Sequence, residues 1–111
     1  NFLYDAANNR LTVAGGLIHN RTSVTTSHTA SISDYILGVT TVPANILFDA
    51  TTFVTGQVVV VKDETGNASS VNLISLNASG SQTIDGNNSA YIESPYGSVL
   101  LYTDGADWFV Y

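Results

Sequence analysis

Apolar residues occur along this chain in short runs rich in Val, Ile, Thr and Tyr, and turn-forming residues separate the runs at short intervals. This composition and spacing are typical of all-β proteins. Helical periodicity behind an N-cap is almost absent, although 44–50, after Pro43, is compatible with one short helical turn. The pattern predicts strands at about 10–14, 22–29, 34–41, 57–62, 71–76, 89–93, 97–103 and 107–111.

The turns between these strands are marked by Gly, Asn and Asp, which tolerate the positive φ angles of tight turns. The marked segments are DETGN (63–67), NASGS (77–81), DGNN (85–88) and DGAD (104–107). Short strands joined by such turns predict an all-β fold, with an antiparallel β-sandwich or jelly-roll-like architecture.

The last two predicted strands form a hairpin with two apolar faces. A loop of Asp104 and Gly105 pairs Leu101 with Trp108, whereas a loop from Asp104 to Asp107 pairs Leu101 with Val110. The two registers differ by two residues, so both place the same side chains on the same face. One face carries Val99, Leu101, Trp108 and Val110, and the other carries Leu100, Tyr102, Phe109 and Tyr111.

The run from Val58 to Val61 likewise has no polar face, because alternate valines point to opposite sides. Antiparallel sheets normally keep one side in water. A chain of 111 residues has difficulty covering both sides of several strands, so we expect other copies of the chain to cover part of this surface. The alternative is a two-layer sandwich that covers both sheets internally.

Composition narrows the classes of partner. The formal net charge is −6, with three basic and nine acidic residues, and this charge disfavours binding to nucleic acids and anionic membranes. No purely apolar run exceeds four residues, as in the valines at 58–61, and such runs are far too short to span a bilayer, so we expect no membrane insertion. The chain contains no Cys and no Met and begins at Asn1, and we expect it to be part of a longer polypeptide.

Motifs for metal binding or catalysis are weak. His19 and His28 are nine positions apart and do not form a His-x-His pair. The oxygen donors at 63–67 and 85–88 do not have EF-hand spacing and are ordinary turn residues. No G-x-S-x-G motif is present, and Glu93, Asp104 and Asp107 show no spacing that marks a glycosidase pair. We therefore predict no enzyme activity, no metal site and no cofactor.

The sequence from Gly56 onward resembles the C-terminal domains of trimeric phage tail fibres and related fibre tips. The shared features occur in one order: a valine strand running into KDETGNA, a TIDG turn, a YGSV strand and a final DGADW hairpin. Upstream, FLYDAANNRLTVAGGLIHNRTSV (2–24) is similar to the segment that joins shaft to head in such fibres. The likeness is weakest between Thr40 and Thr55.

The resemblance implies an intertwined homotrimer with a neck segment at 1–24 and a tip domain at 25–111. It places the protein in a virion tail fibre or, alternatively, on a bacterial cell surface, because bacterial fibres carry similar tips. The implied function is receptor binding at the surface of a host or prey cell, with a glycan or an outer-membrane component as target. The alternative is a purely structural module that trimerises and folds the fibre.

Sugar binding has its own candidate residues. Carbohydrate sites on β scaffolds combine an aromatic platform with Asp and Asn side chains that hydrogen-bond hydroxyl groups, and they concentrate in loops. Three copies on one tip would raise a weak affinity through avidity. The candidates are Tyr91, Tyr96, Tyr102, Asn87, Asn88, Asp104 and Asp107.

Overall fold

The computed structural model describes residues 2–111. The fold is all-β with several sheets and is consistent with a β-sandwich. Apart from one 3-10 helix at Ala50–Thr52, the elements of the described residues are strands. They are β1 (Phe2–Asp5), β2 (Arg10–Val13), β3 (Arg21–Val24), β4 (Ser27–Thr29), β5 (Ile36–Val39), β6 (Ala44–Phe48), β7 (Val58–Asp63), β8 (Ile74–Ala78), β9 (Ser89–Ile92), β10 (Ser98–Thr103) and β11 (Trp108–Val110).

Two sheets enclose the core. One has the order β11-β10-β7-β5-β3 and the other the order β4-β6-β8-β9. From β3 to β8, successive strands alternate between the two sheets, so β5 is parallel to β3 and β7, and β6 is parallel to β4 and β8. The predicted all-β fold is confirmed and the structure is consistent with the predicted sandwich, but the prediction that its strands are antiparallel is wrong, because both sheets are mixed. Parallel neighbours need a long crossover, and here a strand of the opposite sheet provides each one.

The second correction concerns 44–50, for which the sequence suggested a helical turn. Ala44–Phe48 forms β6, a central strand whose residues alternate between buried and exposed. The 3-10 helix follows at Ala50–Thr52, where the side chain of Asp49 accepts a hydrogen bond from the backbone N–H of Thr51. The predicted strand at 22–29 is also divided, because the chain passes from one sheet to the other at 25–26.

The C-terminal hairpin confirms one of the two predicted registers. Leu101 pairs with Val110 and Thr103 with Trp108, which leaves Asp104 to Asp107 as the loop. Trp108 is fully buried, and its ring meets Phe48 and Phe53 edge-on at centroid distances of 5.2 and 4.9 Å. The apolar end of the sequence is thus docked in the core through one of its faces.

The N-terminal hairpin of β1 and β2 forms a separate two-stranded sheet. Every residue from 10 to 20 is exposed, including Ile18 at 97%. Arg21–Val24, within the predicted neck, is instead the edge strand of the five-stranded sheet. The exposed N-terminal segment ends near residue 20, and Asn1 of the predicted neck lies outside the described residues.

The loops gather at two ends of the sandwich. The chain enters at the end where the carbonyl of Asn20 accepts a hydrogen bond from the N–H of Ile36, and we call this the near end. The near end holds loops 30–35, 49–57, 79–88 and 104–107. The opposite, or far, end holds loops 40–43, 64–73 and 93–97.

Candidate functional site

The predicted carboxylates lie in turns of the near end, where they accept backbone hydrogen bonds. Asp104 Oδ1 accepts from the N–H groups of Asp107 (2.8 Å) and Ala106 (2.9 Å), and these bonds lower the pKa of Asp104. Asp107 Oδ1 accepts from the N–H of Thr83 at 2.9 Å, which ties the closing hairpin to loop 79–88. Both side chains therefore stabilise the loops in which they lie.

The two predicted asparagines differ in whether their side chains form hydrogen bonds within the protein. The Nδ2 atom of Asn88 lies 3.2 to 3.3 Å from the carbonyls of Ala78, Gly80 and Gln82, so this amide holds loop 79–88 together. The side chain of Asn87 is exposed and has no hydrogen-bond partner within residues 2–111. Asn87 alone of these four polar residues keeps its side-chain polar groups free.

The three predicted tyrosines lie in different places. Tyr91 on β9 points outward from the four-stranded sheet, and Tyr102 on β10 points outward from the five-stranded sheet, so the two rings are on opposite sides of the sandwich. Tyr96 is in loop 93–97 at the far end, where its ring covers Gly66. The structure therefore does not bring the seven candidate residues into one site.

The outer side of the five-stranded sheet carries an apolar patch on β5, β7, β10 and β11, and we call this patch the apolar face. The rest of this side is polar, with Arg21 and Ser23 on β3 and Lys62 and Ser98 toward the far end. The side chains of the apolar face lie next to one another through the strand pairings, such as Leu100 with Val60 and Val60 with Ile36. Tyr102 stacks on Phe109 at 5.5 Å and meets Tyr111 edge-on at 5.9 Å, and a groove of about 510 Å³ lies beside Tyr102. The apolar face consists of Ile36, Val58, Val60, Leu100, Tyr102, Phe109 and Tyr111.

The outer side of the four-stranded sheet has a different character, and we call it the polar face. Its members alternate along each strand with buried residues, as Asn45 and Leu47 do with Ala44, Ile46 and Phe48. A depression of about 490 Å³ lies against β4, β6 and β8. The polar face consists of Ser27, Thr29, Asn45, Leu47, Ser75, Asn77, Ser89 and Tyr91, none of which is charged.

Most hydrogen-bonding groups of the polar face have no partner in the protein. Within residues 2–111, the amide of Asn45 and the hydroxyls of Ser27 and Thr29 form no hydrogen bond. Asn77 Oδ1 accepts a bond from Ser89 Oγ at 2.9 Å, while Asn77 Nδ2 makes only a long contact of 3.4 Å. The side chains of Ser27, Thr29 and Asn45 therefore face solvent with their donors and acceptors available.

At the far end, the KDETGNA segment forms a turn around Asp63, which is fully buried. The carboxylate of Asp63 accepts hydrogen bonds from the N–H and hydroxyl of Thr65 and from the N–H groups of Ala68 and Tyr96, at 2.6 to 3.1 Å. Burial alone would raise the pKa of Asp63, but these bonds outweigh it and lower the pKa to about 2. The carboxylate is thus part of the turn itself.

Two further features of this turn set the shape of the far end. Gly66 has a φ of +73°, and a Cβ at this position would lie 2.6 Å from the ring of Tyr96, so the turn requires glycine. Glu64 accepts hydrogen bonds from Arg21, which lower the pKa of Glu64 and join the turn to the edge strand β3. A shallow polar depression of about 480 Å³ lies between loops 40–43 and 64–73.

The histidines take part in contacts within the fold. His28 Nε2 lies 2.8 Å from Asp34 Oδ2, and Asp34 Oδ1 accepts a bond from Thr22 at 2.8 Å. Burial opposes ionisation of Asp34, but its hydrogen bonds with His28, Ser31 and Thr22 lower its pKa. His19 stacks on Tyr35 at 4.0 Å. In residues 2–111, no three His, Cys, Asp or Glu side chains are grouped as metal ligands.

Sequence reasoning missed the polar face apart from Tyr91. The signal was present in two segments, because ANILF (44–48) and ISLNA (74–78) each alternate a buried apolar residue with an exposed or half-buried one. Reading 44–48 as a helical turn concealed the first of them. The adjacency of the four strands depends on pairings between residues 12 or more positions apart, such as Ser27 with Asn45 and Asn77 with Ser89.

No helix in the described part of the chain is long and apolar enough to cross a membrane. Comparisons with protein-family models, curated proteins and solved structures found no match to this chain.

Proposed function

We propose that this chain is the receptor-binding tip of a homotrimeric surface fibre, which recognises a cell-surface glycan or another envelope component without catalysis. The observation that carries the proposal is the amount of apolar surface that the chain leaves uncovered. Tyr102 and Tyr111 of the apolar face are 37% and 82% exposed, and Leu3, Leu11 and Ile18 of the N-terminal segment are 65%, 56% and 97% exposed.

Covering this surface would stabilise the fold substantially. Full burial of one large apolar side chain contributes about 1.5–3 kcal/mol, and an isolated two-stranded hairpin is marginally stable in water. Contiguous apolar patches on soluble proteins generally mark contact surfaces. Two neighbouring copies, related by a threefold axis, would cover the apolar face and the N-terminal hairpin of each chain.

The binding part of the proposal rests on the remaining surface. In a trimer that buries the apolar face, the polar face and the far end stay open to solvent, and both offer hydroxyl and amide groups. Three equal sites on one assembly would strengthen a weak interaction with a repetitive cell surface. The fibre belongs to a virion tail or, alternatively, to a bacterial surface.

A purely structural trimerisation module is the second candidate, and one observation favours it. Asn88 and Asp104 form hydrogen bonds with backbone groups in or next to their own loops, and Asp107 joins its loop to loop 79–88 through the N–H of Thr83. The polar side chains of the near-end loops thus stabilise the fold, as expected of a module that sets the register of three chains.

The trimer is tested by placing a charge in the apolar face. Native mass spectrometry and light scattering should give three times the chain mass of 11.7 kDa for the wild type. Leu100→Lys should give monomers or aggregates, because a buried unpaired charge is strongly unfavourable. Val71→Lys, at a position 84% exposed in loop 64–73, is the matched control and should stay trimeric. A monomeric wild type at micromolar concentration would overturn the proposal.

Receptor binding is tested separately with whole bacterial cells of several envelope types. The fluorescently labelled trimer should bind one or more of them, and Leu100→Lys should bind weakly because avidity is lost. A trimer that binds no cell and no isolated envelope fraction would leave the structural module as the better description.

A further inference from the structure

We propose that the polar face is the glycan site and that it binds a neutral oligosaccharide, with the ring of Tyr91 as the stacking surface. This inference rests on the proposed function, since it assigns a place and a ligand class to the binding activity. The loop residues predicted from the sequence, other than Tyr91, do not take part in it.

Strand pairing arranges the outward side chains of the polar face in two rows. One row runs across the sheet from Ser27 through Asn45 and Ser75 to Tyr91, and the other runs from Thr29 through Leu47 and Asn77 to Ser89. Neighbouring strands are about 4.8 Å apart and alternate residues about 6.7 Å, so the grid measures about 14 by 7 Å. This area accommodates more than one sugar ring.

The face combines the two kinds of contact that sugars require. Tyr91 is 53% exposed and Leu47 is 40% exposed, which provides apolar surface for the C–H faces of pyranose rings. The amides of Asn45 and Asn77 and the neighbouring hydroxyls provide donors and acceptors for sugar hydroxyls. The depression of about 490 Å³ is lined by Asn45, Leu47 and Asn77 and is of the size found in ligand sites, and Tyr91 lies beside it on β9, next to Ser75.

The polar face differs from the near-end loops because many of its side chains form no hydrogen bond within the described protein. Asn45, Ser27 and Thr29 have no side-chain hydrogen bonds within residues 2–111, so a ligand would not have to break any there. Asp104, Asp107 and Asn88 would have to give up bonds that hold their turns. Asn45 and Asn77 also lie on the central strands β6 and β8, which hold them rigidly before binding.

The lack of charged residues on the polar face indicates which class of sugar it binds. No residue of the polar face is charged. Arg10 is in the N-terminal hairpin, and Arg21 and Lys62 belong to the five-stranded sheet. His28 of β4 also lines the depression, but its Nε2 atom lies 2.8 Å from the carboxylate of Asp34 and is engaged there. An anionic sugar would therefore find no Lys or Arg on this face and would be repelled by a chain of net charge −6. The face is complementary to uncharged hydroxyl-rich chains.

The experiment uses the full chain on an array of neutral, sialylated and sulfated oligosaccharides. The wild type should bind one or more neutral oligosaccharides, and Tyr91→Ala and Asn45→Ala should each weaken that binding by about tenfold or more. Tyr96→Ala and Asn87→Ala are the matched controls, since both residues are exposed and lie outside the polar face, and their affinities should stay within about twofold of the wild type. Light scattering should give the same mass for all variants.

Several outcomes would overturn the inference. Binding only to sialylated or sulfated sugars would contradict the ligand class, and neutral-sugar binding that survives both Tyr91→Ala and Asn45→Ala would contradict the place. If the trimer binds cells but no neutral oligosaccharide, this inference fails and the receptor-binding function stands. If it binds neither, both fail.

Discussion

At the scale of single residues, Asp63 shows how one buried carboxylate supports a turn and makes stability depend on pH. Its pKa is about 2 in the folded chain and 3.8 when unperturbed, so its contribution to stability is complete above pH 4 and is lost as the pH falls to 2. The shift corresponds to about 2 kcal/mol. Asp63→Asn should lower the free energy of unfolding at pH 7 by about 1–3 kcal/mol and flatten its dependence on pH between 4 and 2.

Urea unfolding at a fixed chain concentration, repeated across this pH range, measures both effects. Glu93→Gln is the control, because Glu93 is exposed and its side chain forms no hydrogen bond in the described structure. Other carboxylates with lowered pKa, such as Asp34, will keep part of the pH dependence in both variants. Equal pH profiles for Asp63→Asn and the wild type would contradict the role given to Asp63.

At the scale of elements, the closing hairpin contributes a strand to the sheet and a large ring to the core. Ending the chain after Asp107 removes Trp108 from contact with Phe48 and Phe53 and leaves β10 at the edge of its sheet. Loss of a buried Trp costs about 3–5 kcal/mol, a large part of the stability of a small domain. We expect this chain to be insoluble or unfolded, as judged by solubility and circular dichroism.

A chain that ends after Val110 separates this effect from an effect on assembly. It lacks only Tyr111, which is 82% exposed, so β11 and the core contacts of Trp108 stay in place. This chain should fold, with its trimer weakened because the apolar face loses one aromatic side chain. A folded, trimeric product of the truncation after Asp107 would show that the closing hairpin is dispensable.

At the scale of the whole molecule, the two outer faces of the sandwich differ in polarity, and this difference orients the proposed assembly. In the proposed trimer, the apolar face and the exposed N-terminal hairpin would turn toward other copies, and the polar face would turn to solvent. If folding and assembly are coupled, the midpoint of thermal unfolding should rise with chain concentration, because mass action favours the trimer. Differential scanning calorimetry over a hundredfold range of concentration, on the order of micromolar to submillimolar, measures this.

The variants Leu100→Lys and Val71→Lys test whether the apolar face causes the dependence of the thermal midpoint on chain concentration. Val71→Lys should keep the concentration dependence of the midpoint, and Leu100→Lys should abolish it. Amide hydrogen exchange adds a local measurement, since β1 and β2 should be protected in the trimer and exchange rapidly in Leu100→Lys. A midpoint independent of concentration in the wild type would contradict coupled assembly.

The alternation of residue types over a few positions was sufficient to predict several strands and turns of the fold. The valine strand predicted at 57–62 is β7 at Val58–Asp63, and the hairpin register with Leu101 opposite Val110 was one of two predicted. Both depend on alternation and turn chemistry within a few residues. The strand Ala44–Phe48 shows the same alternation, but its five residues after Pro43 were also compatible with a helical turn, and pairing with β4 and β8 fixes the extended form.

The sequence by itself determined that this protein is all-β, that both faces of its closing hairpin are apolar and that tight turns separate its strands, since these properties follow from side-chain type and spacing along the chain. Only the tertiary structure decided which strands are neighbours, that many of them are parallel and that Asn45, Asn77 and Tyr91 share one face. The physical reason is that strand adjacency depends on contacts between residues that are distant in sequence. No local pattern specifies which of these distant segments will pair.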